Sequence, residues 1–266
     1  MPESLPSQFE IIHRKSSHKK ELKMNTIKEK HTETYRKNAV LVGILFIIAT
    51  VFLFVGSSFY GPVLDTPDYL QVAYPNRISA IIGMLIEFSC ILAIPLIPVF
   101  AYPVLRKHSE TLALGYIVFR LFEAVLFVLV DITKLALIKV SQLYLAAESS
   151  NVGLIESIGA TIQGWNEWGW AFYVLIFGFG ALIFYFALYQ SKLLPRWISI
   201  WGLIAIVLMI TSALLAMFGV ELPDAIFGLL VIPIAVQEMV MAAWLIVKGF
   251  NQDAVKKLDE VDQPYP

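Results

Sequence analysis

The chain has 266 residues, of which 58% are hydrophobic and only 15% charged, with a formal net charge of −1 and a mean hydropathy of +0.71. A soluble domain holds about 45–50% apolar residues, so the composition excludes an ordinary water-soluble fold and indicates a membrane protein. There is no basic surplus to form an electrostatic footprint for nucleic acid, and the single cysteine, Cys90, excludes a disulfide framework within one chain.

Residues 1–38 carry nine of the 20 Lys and Arg and few apolar side chains, and read as a polar tail. They lack the compact basic, apolar and small-residue order of a cleaved signal peptide. Met24 offers an alternative start, because nothing before it is needed for insertion. The first span is expected from about Ala39 to Phe59, since about 20 apolar residues cross the ~30 Å hydrocarbon core. Tyr60-Gly61-Pro62 is expected to break that helix. The following loop contains Asp65 and Asp68, fewer oxygens than the roughly 6–8 a calcium ion takes, so it reads as solvated.

The second span, about Ile78 to Tyr102, holds Glu87, Cys90, Pro95 and Pro98. Each proline removes a backbone donor, which predicts a kink or a break in the second half. Glu87 has no basic partner on its own helix and is expected to face inward.

The third span, Leu112 to Ile138 with an extension to about Leu145, carries Arg120, Glu123, Asp131 and Lys134. At ~100° per residue these positions, with Phe127, fall within about 80° of one another on a single face. Some 17 apolar residues contribute roughly −5 to −10 kcal/mol to insertion, and each central charge returns about +2.5 to +3.5 kcal/mol. Alone, the helix is near break-even. It is expected to turn its stripe toward other helices, with Arg120 paired to Glu123 and Asp131 to Lys134 at i, i+3.

Beyond Ser149-Ser150-Asn151, which suit a helix start, Val152, Leu154, Ile155, Ile158 and Ile162 recur at helical spacing. This segment reads as a short amphipathic helix at the membrane interface, or as a connecting helix packed on the bundle. The fourth span, about Trp165 to Tyr189, opens with Trp165, Trp168 and Trp170 around Glu167, an interfacial aromatic belt. Gly178 and Gly180 lie inside it and point to close helix packing rather than a nucleotide loop. The fifth span runs from Arg196 to Gly219, and the sixth, about Ala225 to Val247, contains Pro233, Gln237 and Glu238.

The expected fold is therefore an all-α, six-helix integral membrane bundle over 39–250, with an additional short interfacial helix between helices three and four and a polar tail over 251–266. Lys and Arg gather in the second–third connection (Arg106, Lys107), the fourth–fifth connection (Lys192, Arg196), the N-terminal tail and Lys248. The positive-inside rule then places both termini in the cytoplasm. With that topology Glu87, Arg120, Glu123 and Glu238 are expected to meet in a buried polar cluster, and Asp131, Lys134 and Glu167 in an outer one. Three acids and one base cannot all be ionised in low dielectric, which is the physical case for a proton or cation pathway; the competing reading makes Arg120 a structural cross-link.

Phe119-Arg120-Leu121-Phe122-Glu123-Ala124, the stretch Leu188-Tyr189-Gln190-Ser191-Lys192-Leu193-Leu194-Pro195-Arg196-Trp197-Ile198-Ser199-Ile200-Trp201-Gly202-Leu203, and Gln237-Glu238 followed by Ala243-Trp244-Leu245-Ile246-Val247-Lys248-Gly249-Phe250 together carry a resemblance. Over roughly Asn38 to Asn251 the chain resembles the bacterial multi-pass family catalogued as domain of unknown function 4386. The resemblance implies a bacterial inner-membrane protein of several helices and brings no established activity; Arg120, Glu123, Pro195, Arg196 and Glu238 are the positions that match its motifs.

An enzyme is not expected. His13, His18, His31 and His108 lie outside the spans, and HExxH and CxxC patterns are missing, so neither a metal nor another cofactor is indicated. An intramembrane hydrolase using Glu123 and Glu238 is the remaining catalytic reading. Small-solute or proton-coupled transport is the leading expectation, from the midplane charges and from Pro95, Pro98 and Pro233 as broken-helix signals. A non-catalytic sensor or assembly partner, with structural charges, is the alternative. The bilayer is the one partner the composition demands; oligomeric state is not legible.

Overall fold

The computed structural model describes residues 8–220 and 222–261, with side chains from Glu33 to Leu258 except at 221 and 224. Among the described residues eight helices follow in order: α1 (Gln8–Leu64), α2 (Tyr69–Val72), α3 (Arg77–Leu105), α4 (Glu110–Leu145), α5 (Val152–Ser191), α6 (Arg196–Met217), α7 (Asp224–Val247) and α8 (Gln252–Val261). Six of them, α1 from Glu33 onward and α3 to α7, are long and apolar enough to cross a membrane. Large apolar side chains such as Ile78, Leu85 and Leu229 stand exposed on their outer faces, as lipid contact requires. The protein is an all-α membrane bundle. The expectations for Met1–Lys23, for His13, His18 and His31 and for Met24 as a start concern side chains outside the described residues.

The spans form a ring. Each packs on two neighbours in the cyclic order α1, α3, α4, α5, α6, α7, with α7 closing on α1. One end carries Arg106, Lys107, Lys192, Arg196 and Lys248 and is called the basic end below. That half of the ring is solid: Phe184 stacks on Tyr116 at 4.5 Å and on Phe46 at 6.0 Å, and Tyr185, Leu188, Ile198 and Met241 are fully buried around them.

Local chemistry sets the joints. Ser109 opens α4 as an N-cap, its hydroxyl accepting from the Leu112 N–H at 3.3 Å. At the end of α7, Arg36 of α1 donates to the carbonyls of Leu245 (2.9 Å), Ile246 (2.6 Å) and Val247 (3.3 Å), filling acceptors that a helix C-terminus leaves open. Gly249 follows with φ +74°, a left-handed turn that glycine adopts without strain, and a Cβ there would stand 3.1 Å from Arg36 Nη1. The N–H of Asn251 then bonds the Leu193 carbonyl at 2.9 Å, docking α8 beside the α5–α6 turn. The closest crossing joins α1 and α3 through facing glycines: a Cβ on Gly56 would lie 2.7 Å from the Gly83 carbonyl oxygen, and one on Gly83 2.6 Å from that of Gly56. Gly178 and Gly180 do pack closely, against Ile210 of α6 and Phe119 of α4.

Four expectations are corrected. α1 is not broken at Tyr60-Gly61-Pro62 but runs to Leu64, because Pro62 stands in the last turn, where a missing N–H removes a single bond. α3 continues through Pro95 and Pro98, and α7 through Pro233, so of the kink or break expected there the break does not occur; each proline removes one bond from the ladder. There is no separate interfacial helix between the third and fourth spans. Residues 152–164 are the first turns of α5, since no proline or cap interrupts the sequence before Trp165, and Gly159 packs on Tyr69 of α2. Residues 252–261 of the expected polar tail form α8, capped by Asn251, whose Oδ1 accepts from the N–H groups of Asp253 (3.0 Å) and Ala254 (3.4 Å), and this helix buries Ala254 and Val255.

The glycine crossing gives a direct test. Gly83→Ala should lower stability by about 1–3 kcal/mol, the usual cost of overpacking, whereas Gly164→Ala, with open space around the added methyl, should be neutral or stabilising by ~0.5–1 kcal/mol. Unfolding of both variants in detergent micelles checks the difference.

Candidate functional site

The other half of the ring is hollow. A cavity of about 360 Å³ is lined by all six spans. Glu167, Ala216 and Phe227 mark its rim away from the basic end, and Arg120, Glu123, Thr50 and Glu238 form its floor. Arg120 Nη1 donates to both oxygens of Glu123 at 3.0 Å, and its Nε donates to the Tyr116 hydroxyl at 3.1 Å. The guanidinium sits among the rings of Phe177 (5.2 Å), Tyr116 (5.3 Å) and Phe46 (5.7 Å). Across the floor, the Thr50 hydroxyl donates to Glu238 Oε2 at 3.0 Å. Oε1 of Glu238 has no partner among the described residues, nor has Nη2 of Arg120. Glu123 holds the guanidinium directly and Glu238 has no ion pair of its own among the described residues; both carboxylates line the cavity.

The wall from rim to floor is aromatic. On α5, Trp170 stacks on Tyr173 at 4.7 Å and Tyr173 on Phe177 at 6.5 Å, a ladder at i, i+3 and i+7. Hydroxyl groups along the wall are few. The Ser212 hydroxyl is turned back to the Met209 carbonyl (2.7 Å), and that of Ser57 to the Phe54 carbonyl (3.0 Å).

Glu87 does not join this floor, contrary to expectation. Lys134 Nζ donates to its Oε2 at 2.7 Å and to Asp131 Oδ1 at 2.9 Å, while the Tyr60 hydroxyl donates to its Oε1 at 2.8 Å. The ammonium also stands 3.9 Å from the Tyr60 ring centroid. The reason is depth. Glu87 is ten residues from the start of α3 and Lys134 eleven from the end of α4, both about 15–17 Å from the same end, whereas Arg120 lies roughly 21 Å along α4 from Lys134. Glu167 does not join Asp131 and Lys134. At this level it is Asn166 that hydrogen-bonds to α4, donating to Thr133 Oγ1 at 2.7 Å, and the next residue is turned by ~100° to the cavity rim. One further polar group has no role assigned from the sequence: Gln237 accepts from the Tyr185 hydroxyl (2.7 Å) and donates to the Ile198 carbonyl (3.0 Å), locking α5, α6 and α7 below the floor.

These residues fall within one family model, described as Domain of unknown function (DUF4386), which matches residues 41–249. The chain belongs to that family. No curated protein and no solved structure matches it. The DUF4386 match takes in both polar clusters, from Thr50 to Glu238, and the Gly249 turn, while the capping Arg36 lies just before it.

The two clusters should respond differently to neutralisation. Lys134→Met leaves Glu87 and Asp131 without a base, and Arg120→Gln leaves Glu123 without one; each should lower stability by about 3–5 kcal/mol, as for a broken buried pair. Glu238→Gln keeps the acceptor for Thr50 and removes a carboxylate that has no ion pair of its own, so it should be neutral or stabilising. Unfolding midpoints of the purified variants at pH 7 measure all three.

Proposed function

We propose that the protein is a small-solute carrier of the bacterial cytoplasmic membrane, in which proton movement at Glu238 is coupled to occupation of the central cavity. One observation carries this reading: a cavity lined by all six spans reaches a carboxylate oxygen that has no hydrogen-bond partner among the described residues, while the basic half of the ring is packed shut. A carrier caught facing one side has this form. The positive-inside rule puts the basic end and both termini in the cytoplasm, so the cavity faces outward. The proline positions lend no support, because they interrupt no helix.

The charges differ in kind. Glu87, Lys134 and Asp131 form a closed knot, and neither Glu87 nor Lys134 lines the cavity, so this network fits a structural cross-link. The floor at Glu238 is open. Hydrolysis fits poorly, because both oxygens of Glu123 are held by Arg120, leaving one free carboxylate where a paired mechanism needs two.

Access to position 238 is the test. In a Cys90→Ser background, Glu238→Cys should react with a membrane-impermeant thiol reagent added from outside the cell. A folded variant that labels from neither side would remove the carrier reading and leave a sealed structural bundle.

A further inference from the structure

The cavity's chemistry also narrows what it holds, and this step rests on the carrier reading. We infer that the solute is a lipophilic organic cation: a compact body with aromatic or alkyl groups and a single positive charge, which exchanges with a proton at Glu238.

Charge comes first. The ionisable groups lining the cavity with a formal charge are Arg120, Glu123, Glu167 and Glu238. Arg120 and Glu123 neutralise each other at 3.0 Å, which leaves the surplus acidic, with Glu238 at the floor and Glu167 at the rim. A buried carboxylate without its own base is neutralised by a proton or by a cation brought to it. An anion would meet only the spare Nη2 of Arg120, between two carboxylates that repel it.

The walls give the second, independent sign. Trp170, Tyr173 and Phe177 make a stacked path from rim to floor, with Phe46, Phe54, Tyr60 and Phe227 around it. Aromatic faces attract cations, quaternary ammonium groups above all. Both buried cations among the described residues already use such faces: Arg120 stands over Phe46, Tyr116 and Phe177, and Lys134 over Tyr60 and Phe127. The rings of Trp170 and Tyr173 hold no such cation among the described residues.

Hydrogen-bonding capacity is the third. The hydroxyls of Thr50, Ser57 and Ser212 are each committed to an acceptor. Spent as donors, these hydroxyls cannot serve the many acceptors of a sugar, which would leave several of them desolvated and unpaired, each at a cost in affinity. An apolar body with one diffuse charge asks for nothing the wall lacks.

The exchange is simple in outline. Glu238 holds a proton when the cavity is empty, the entering cation releases it, and its return expels the cation. Acidification therefore weakens cation binding.

The test uses the full chain in detergent with three probes of one shape: benzyltrimethylammonium, its neutral carbon isostere 2,2-dimethylpropylbenzene, and benzenesulfonate. Binding is followed by calorimetry and by Trp fluorescence. Benzyltrimethylammonium should bind at least about 10-fold more tightly than either of the others, weaken on acidification and release a proton. Glu238→Gln should abolish the proton release and weaken binding about 10-fold or more, and Trp170→Leu, a variant outside the charged floor, should weaken it by a similar order while Trp170→Phe retains it. If the neutral or anionic probe binds as well as the cation, the cation assignment is overturned and the solute site stands. If none of the three binds while the thiol of the Glu238→Cys variant remains reachable, the assignment also fails; if that thiol is sealed as well, the carrier reading falls with it.

Discussion

A charge turned toward lipid at mid-bilayer costs about 2.5–3.5 kcal/mol on the insertion scale, and α4 carries four charges on one stripe. That penalty fixes the rotation of α4 in the ring, with Leu121, Val125, Leu129 and Ile132 exposed on the outside and Arg120, Glu123 and Lys134 buried. Other placements follow from it. α3 must supply Glu87 at the level of Lys134, and the Gly56–Gly83 contact draws α1 close enough for Tyr60 to bond the same carboxylate. On the other flank, Gly180 lets α5 press against Phe119, which brings the aromatic ladder over Arg120.

The same stripe produces two unlike polar centres from similar groups. Lys134 is a compact ammonium whose hydrogens meet two carboxylates, with a ring beneath, and its acids have no access to the cavity. Arg120 is a planar fork with more donors than Glu123 can accept, set beside a second carboxylate on α7. Closed coordination makes the first a joint. Spare valence on both signs makes the second able to respond to something that enters.

Much of this is legible in the chain, for identifiable reasons. Six spans follow from long, predominantly apolar runs, and the Arg120–Glu123 and Asp131–Lys134 pairs follow from i, i+3 spacing on a helix, which is local information. Sequence reasoning matches Glu87 with the wrong base because helix levels depend on where helices end, and α3 and α4 each extend beyond the residues that apolarity alone assigns them. The continuity of α5 through Gly164 is hidden because a glycine weakens a helix without stopping it. The cap at Asn251 and the amphipathic Ala254, Val255 and Leu258 of α8 are present as signals, but a short helix among charged residues stands out only when a surface for it is known. The cavity itself is beyond reach: it is a shape left by six helices, and no residue pattern encodes it.

The seam between α1 and α7 has a consequence for how the protein is made. Its bonds join residues far apart in the chain, Thr50 to Glu238 across 188 positions and Arg36 to Leu245 across 209. Translation delivers the first span long before the last, so Thr50 and Arg36 wait in the membrane while the intervening four spans are threaded in. An unfinished chain is an open arc with Glu123 and Arg120 on its concave side. Completion of the final hydrophobic segment is what shuts the ring, so the polar side chains of α4 gain their α7 neighbour last.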